Sequence, residues 1–180
     1  MPLLVVRALI FVVVLPGAVL VYIPNRILAA NPGLPSFYLG WLRLTGWVPI
    51  ALGLAVLTWC WVGFVVEGRG TPAPYDPPRR LVTGQLYRWV RNPMYVALVI
   101  VLLGESVAFQ SLALLVYTGV AWLACHLFVV LYEEPALHRR FGAAYDSYCA
   151  QVPRWLPRLR RSGLAGVTDA APRQPPEGQT

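Results

Sequence analysis

Apolar positions in this chain run in long blocks, not in the alternation of a half-buried strand. The first block spans Leu3 to Ile23, with Arg7 near its start and Pro16-Gly17 inside it, where a kink is expected. A connector rich in Pro, Asn and Gly follows over 24–38. The second block covers 39–66, with Arg43 near its start, Pro49 within, and Trp41, Trp47, Trp59 and Trp61 near its ends, as suits the two interfaces of a bilayer. The third block, Met94 to Phe109, and the fourth, Leu112 to Tyr132, are separated only by Gln110-Ser111, which predicts a tight antiparallel hairpin. A spanning helix takes about 20 apolar residues, so the pattern predicts four spans. The first block also resembles a signal peptide, with Leu28-Ala29-Ala30 as a cleavage region. It exceeds the roughly 7–15 residues of a signal core, and the retained span is preferred.

Between and after the blocks the texture changes. Residues 67–80 hold four prolines and two glycines, which forbid a regular element. Residues 81–95 mix basic and aromatic side chains and are expected at the membrane surface. Past Glu133-Glu134-Pro135, apolar residues recur at steps of three and four (Leu137, Phe141, Ala144, Tyr145, Tyr148, Val152). Arg139, Arg140 and Asp146 lie on the other side, predicting one amphipathic helix lying in the headgroup layer. Pro153 to Pro157 end it, and 162–180 reads as disordered. The expected fold is all-α: a polytopic membrane protein with about four transmembrane helices plus a C-terminal amphipathic interfacial helix. Its parts are 1–66 (two spans), 67–80 (connector), 81–161 (core) and 162–180 (tail).

Composition sharpens this picture. Of 180 residues 57% are hydrophobic and 13% charged, against about 45–50% and about 25% in soluble domains, so the excess must face lipid. The net charge is +7 and every basic residue is Arg. The arginines stand in connectors beside apolar blocks, not along a soluble face, which argues against nucleic acid as a partner. With both termini inside, thirteen arginines fall inside and two outside. The positive-inside rule therefore predicts cytoplasmic termini in the inner or plasma membrane, with 67–93 and 133–161 on one face. Cys60, Cys125 and Cys149 form no CxxC, and neither a disulfide framework nor a metal site is expected.

On that face two polar strips can meet. One runs from Gly84 to Tyr95 and the other from Tyr132 to Pro157. Arg91 offers a planar fork for a carboxylate. Glu133 and Glu134 supply carboxylates, and Tyr87, Trp89 and Tyr95 supply aromatic faces. Within the blocks, Glu105 and His126 are functional candidates as intramembrane ionisable groups. His126 stands seven residues before Glu133, on about the same face of a regular helix.

The two strips together resemble the isoprenylcysteine carboxyl methyltransferase and phospholipid methyltransferase superfamily. Gly84, Tyr87, Arg91, Pro93 and Tyr95 match its first element. After the hairpin, Glu133-Glu134, Phe141-Gly142, Tyr145, Tyr148, Val152-Pro153-Arg154-Trp155 and Pro157 match the second. The likeness covers about 81–158, with 1–66 matching only as generic spans. It implies S-adenosylmethionine as cofactor, held by Gln85, Tyr87, Arg91, Asn92, Tyr95, Glu133 and Glu134. Trp89, His126 and Arg154 stand toward a lipophilic acceptor, whose nucleophile is a carboxylate, an amine or a thiol. No catalytic residue is assigned, because methyl transfer from a sulfonium needs positioning more than an acid or base. The family usually has His at 92. Asn cannot hold a proton near neutral pH, so only a binding role survives there. An inactive protein with this fold and a small carrier or channel subunit are the rival readings; the spans hold few polar residues to line a pathway.

Overall fold

The computed structural model describes residues 14–31, 37–66, 81 and 83–157, with the backbone alone at 64–66. The segments 1–13, 67–80 and 158–180 lie outside them, and with them the start of the first block, the connector and the tail. The described residues are helical without strands. Helix α1 is Val14–Ala30. A 3-10 stretch, Gly40–Gly46, leads into α2, Trp47–Val66. Pro49 falls in the first turn of α2, where a missing N–H costs nothing. A 3-10 turn, Gln85–Arg88, precedes α3, Pro93–Ala108. After the two-residue link comes α4, Leu112–Phe141, and then α5, Ala143–Gln151.

Among the described residues two helices are long and apolar enough to cross a membrane, Gly40–Gly63 and Leu112–Phe141, and only 28% and 22% of their apolar windows are buried inside the protein. The core helix of a soluble protein would be mostly covered; here Leu52, Val116, Val120 and Leu131 point outward. The described part of α1 and the 16 residues of α3 are shorter. At 1.5 Å per residue α3 reaches about 24 Å, less than the ~30 Å of hydrocarbon.

Small residues set the packing. A Cβ on Gly53 would come within 2.6 Å of Val101 and 2.8 Å of the Ala97 carbonyl oxygen; one on Gly104 would meet the Gly46 carbonyl oxygen at 2.7 Å. Helices α2 and α3 therefore touch backbone to backbone, antiparallel, in the small-residue mode of membrane helices. Polar side chains are turned inward. Ser106 and Thr118 are buried with their hydroxyls 3.3 Å apart across the α3–α4 hairpin. Gln110 accepts a hydrogen bond from the Leu39 backbone N–H at 2.7 Å, closing the end of the bundle opposite Arg91. On the α1 side, the Tyr117 hydroxyl donates to the Val19 carbonyl.

Three expectations are corrected. The first helix does not stop at Ile23 but runs through Pro24 to Ala30, and the fourth does not stop at Tyr132 but runs through Pro135 to Phe141. In both, a π-helical turn ends two residues before the proline: Ala18–Tyr22 before Pro24, and Val129–Glu133 before Pro135. Proline has no N–H for the i−4 carbonyl and its ring collides with it; widening the preceding turn absorbs the misfit without ending the helix. The third correction concerns the single amphipathic helix. It is broken at Gly142, whose φ of 51° and ψ of −130° belong to a region open essentially to glycine alone. The break lets α5 fold back, so that Tyr145, Tyr148 and Val152 form their own buried cluster with Leu81, Leu137 and Phe141.

Candidate functional site

The two polar strips come together at one end of the bundle. Arg91, just before α3, reaches Glu134 on α4, with Nη1 donating to Oε1 at 3.0 Å. Arg154, in the strap that follows α5, grips the same carboxylate with two bonds, Nε to Oε1 at 2.7 Å and Nη2 to Oε2 at 2.8 Å. Glu134 is thus saturated by two guanidinium groups, and the fork-to-carboxylate geometry is among the stronger charge pairings. The carboxylate beside it meets no cation among the described residues. Glu133 Oε2 accepts from the Tyr95 hydroxyl at 3.0 Å.

Backbone bonds fasten strap and segment. The Arg91 N–H donates to the Pro153 carbonyl at 2.9 Å. Asn92, buried, donates from Nδ2 to the Arg154 carbonyl at 3.2 Å. The Tyr148 hydroxyl donates to the Tyr87 carbonyl at 2.6 Å. Burial, reinforced by Tyr145, pushes the Tyr148 phenol above its ordinary range, and burial does the same to Tyr87. Both remain neutral hydroxyls across physiological pH. The hydrogen bonds to Glu134 raise Arg154 further, holding it charged.

Arg91, Asn92, Tyr95, Glu133, Glu134 and Arg154 therefore form one contiguous group, with Tyr87 electrostatically close to Glu133. Gln85 is engaged with α2, its Oε1 accepting from Trp59 Nε1 at 2.8 Å above Gly63. Trp89 lies under the Arg88 guanidinium at 5.7 Å. His126 meets the strap through Trp155. It does not share a face with Glu133: the π turn inserts about one residue of slippage, rotating the rest of the helix by about 100°, and brings Glu134 into register with His126 instead. Glu105 sits ten residues beyond Tyr95 on α3, about 15 Å away along the axis.

Sequence reasoning missed Cys149, whose Sγ accepts from Arg91 Nη1 at 2.8 Å. No spacing rule marks a lone cysteine as an arginine's neighbour. It also missed the register shift that separates the two glutamates. Pro135, with the apolar pattern continuing past it, was the available signal.

Arg91 Nε is the informative atom. It is buried and has no hydrogen-bond partner among the described residues, and a buried, unsatisfied charged donor is rare in a finished site. Residues 41–144, more than half of the chain, match the phospholipid methyltransferase family model. The chain belongs to the phospholipid methyltransferase family. The match bears out the likeness read in the strips. It also reaches back through α2, which by motif alone was a generic span. Membership places the protein among membrane methyltransferases. No curated protein matches the chain.

Proposed function

We propose that the protein is a membrane-integral, S-adenosylmethionine-dependent methyltransferase acting on a lipophilic acceptor. It has four spans and both termini at the cytoplasmic face. The acceptor class favoured is an isoprenylcysteine-like carboxylate, with a phospholipid amine or a thiol as the alternatives. The observation that carries the reading is the pairing, in one group of side chains, of a donor, Arg91 Nε, and a carboxylate, Glu133, that find no hydrogen-bond acceptor and no cation, respectively, among the described residues. Family members of this kind use S-adenosylmethionine, whose amino-acid end carries a carboxylate and an ammonium. The donor set fits both. Arg91 would hold the carboxylate, Glu133 the ammonium or the ribose hydroxyls, and Tyr87 and Tyr95 the faces toward adenine and sulfonium. When bound, this cofactor supplies an electrophilic methyl group.

What the chain itself contributes is orientation and dryness. Glu134, locked between Arg91 and Arg154, keeps strap and segment together. The Tyr148 hydroxyl, held neutral by burial, donates its hydrogen bond without adding charge. The exposed apolar face of α4 would let an acceptor arrive sideways from the bilayer, its nucleophile losing water as it enters.

Calorimetric titration of S-adenosylmethionine into the detergent-solubilised protein tests this. Saturable binding is expected, and Glu133→Gln should weaken it. Absence of binding in the wild type would favour the second reading, a protein that kept the fold and lost the activity. The specific observation behind that reading is Asn92, which stands where the family usually has His and whose Nδ2 donates to the Arg154 carbonyl. With binding established, a radiolabelled methyl donor offered with carboxylate, amine and thiol lipids identifies the acceptor.

A further inference from the structure

Beyond the ion cluster, one more side-chain group joins α4 to the strap. Trp155 Nε1 donates to His126 Nδ1 at 3.2 Å. The two rings lie 5.8 Å apart, tilted by 36°. Trp122, one turn earlier on α4, stacks on the imidazole at 5.5 Å and 22°. An indole N–H can only donate, so Nδ1 must carry a lone pair and the ring proton must sit on Nε2. The imidazole is thereby fixed in tautomer by the strap and in plane by Trp122.

The register shift gives this pairing its consequence. The π turn places Glu134, rather than Glu133, over His126, so one face of α4 holds two consecutive strap residues: Arg154 by Glu134 and Trp155 by His126. Arg154 is a third exposed, while Glu134 is largely covered. An arginine so close to water keeps its geometry best when the chain beside it is pinned. The Trp155–His126 bond is that pin.

We propose that His126 is a positioning residue for the cofactor site. Its neutral Nδ1 holds Trp155, which keeps the 153–157 strap seated and Arg154 on Glu134. Arg91 Nε and Glu133 are then left to the cofactor. The last step rests on the function proposed above; the latch itself does not. With the latch open the strap frays, Glu134 loses one guanidinium and draws on Arg91, and the cofactor dissociates faster.

The test uses the full chain in detergent micelles with 15N-labelled indoles. The Trp155 N–H resonance is assigned from its loss in Trp155→Phe. His126→Phe keeps a flat ring and removes the acceptor, whereas His126→Asn sets an amide oxygen close to where Nδ1 was. His126→Phe should shift the Trp155 resonance, speed amide exchange over 152–157, and weaken S-adenosylhomocysteine binding by roughly 5- to 10-fold. His126→Asn should recover most of each effect, and the double variant His126→Phe/Trp155→Phe should be no worse than either single one. An unmoved resonance in His126→Phe, an Asn variant as poor as Phe, or additive losses in the double variant would each overturn the proposal. If the wild type binds no nucleoside, the cofactor reading falls, and the indole resonance and exchange rates alone decide for or against the latch.

Discussion

Glu133 and Glu134 are adjacent in sequence and chemically identical, yet the partners around them give them different work. Glu134 compensates two arginines that are themselves partly covered. Its removal takes away the carboxylate that both share, a loss of the order of 3–5 kcal/mol when a buried pair is broken, somewhat less here because Arg154 is a third exposed. Glu134→Ala should therefore lower the melting temperature in detergent by several degrees, read by thermal denaturation. Glu133→Gln keeps an oxygen for the Tyr95 hydroxyl and should leave melting nearly unchanged. It should weaken S-adenosylmethionine binding by about tenfold, or about 1.4 kcal/mol. Equal effects of the two substitutions on both readouts would contradict this division. At this scale the sequence was legible in part. The arginine fork, the acidic pair and Tyr95 were recognisable from residue type and order. Which glutamate met which arginine was not, because that depends on the phase of α4, and Pro135, beside the turn that changes the phase, reads as a helix end rather than as a change of pitch.

The devices that position these groups belong to the elements. Pro135 widens the end of α4 and so rotates Glu133 toward Tyr95. Pro135→Ala should let the helix return to regular α geometry. Because alanine is the better helix former, the variant should fold at least as stably while binding S-adenosylmethionine more weakly; unaltered binding would show that the π turn does not set the site. Gly142 is a separate device. Its backbone conformation is closed to side chains, and Gly142→Ala should cost roughly 1–3 kcal/mol, seen as loss of the fold-back of α5 in amide exchange at Tyr145 and Tyr148. Element type and order were readable from the apolar blocks, and so was the two-residue hairpin. Boundaries were not. Both prolines look like helix ends to a reading based on missing N–H groups, and both are carried through by a local change of helical pitch. The periodicity from Leu137 to Val152 likewise hid a break, since Gly142 occupies a polar-side position where the pattern has no gap.

For the molecule as a whole, the site end and the Gln110 end are on opposite sides of the bundle, as the arginine distribution implies. A cysteine placed at Phe109, which is exposed at the Gln110 end, in a background with Cys60, Cys125 and Cys149 replaced by serine, should react with a membrane-impermeant maleimide added outside intact cells, while one placed at Arg139 should react only after lysis. The reverse pattern would invert the proposed topology. Both the lipid-facing character and the gathering of polar residues at one end could be inferred from composition and arginine counting. The close seam between α2 and α3 could not, because a glycine in an apolar block carries no label for the neighbour it admits.

That seam limits how an acceptor can travel. Where Gly46 and Gly53 lie against Gly104, Ala97 and Val101, the two main chains leave no width for even a single methylene. A prenyl or acyl tail cannot thread between these helices at that seam, whereas the outward flank of α4, the helix that carries Glu133 and Glu134, is open. Acceptor preference should accordingly respond to bulk introduced on that flank, at Leu127 or Leu131, and be indifferent to lipid-facing changes on α2 such as Leu52→Phe.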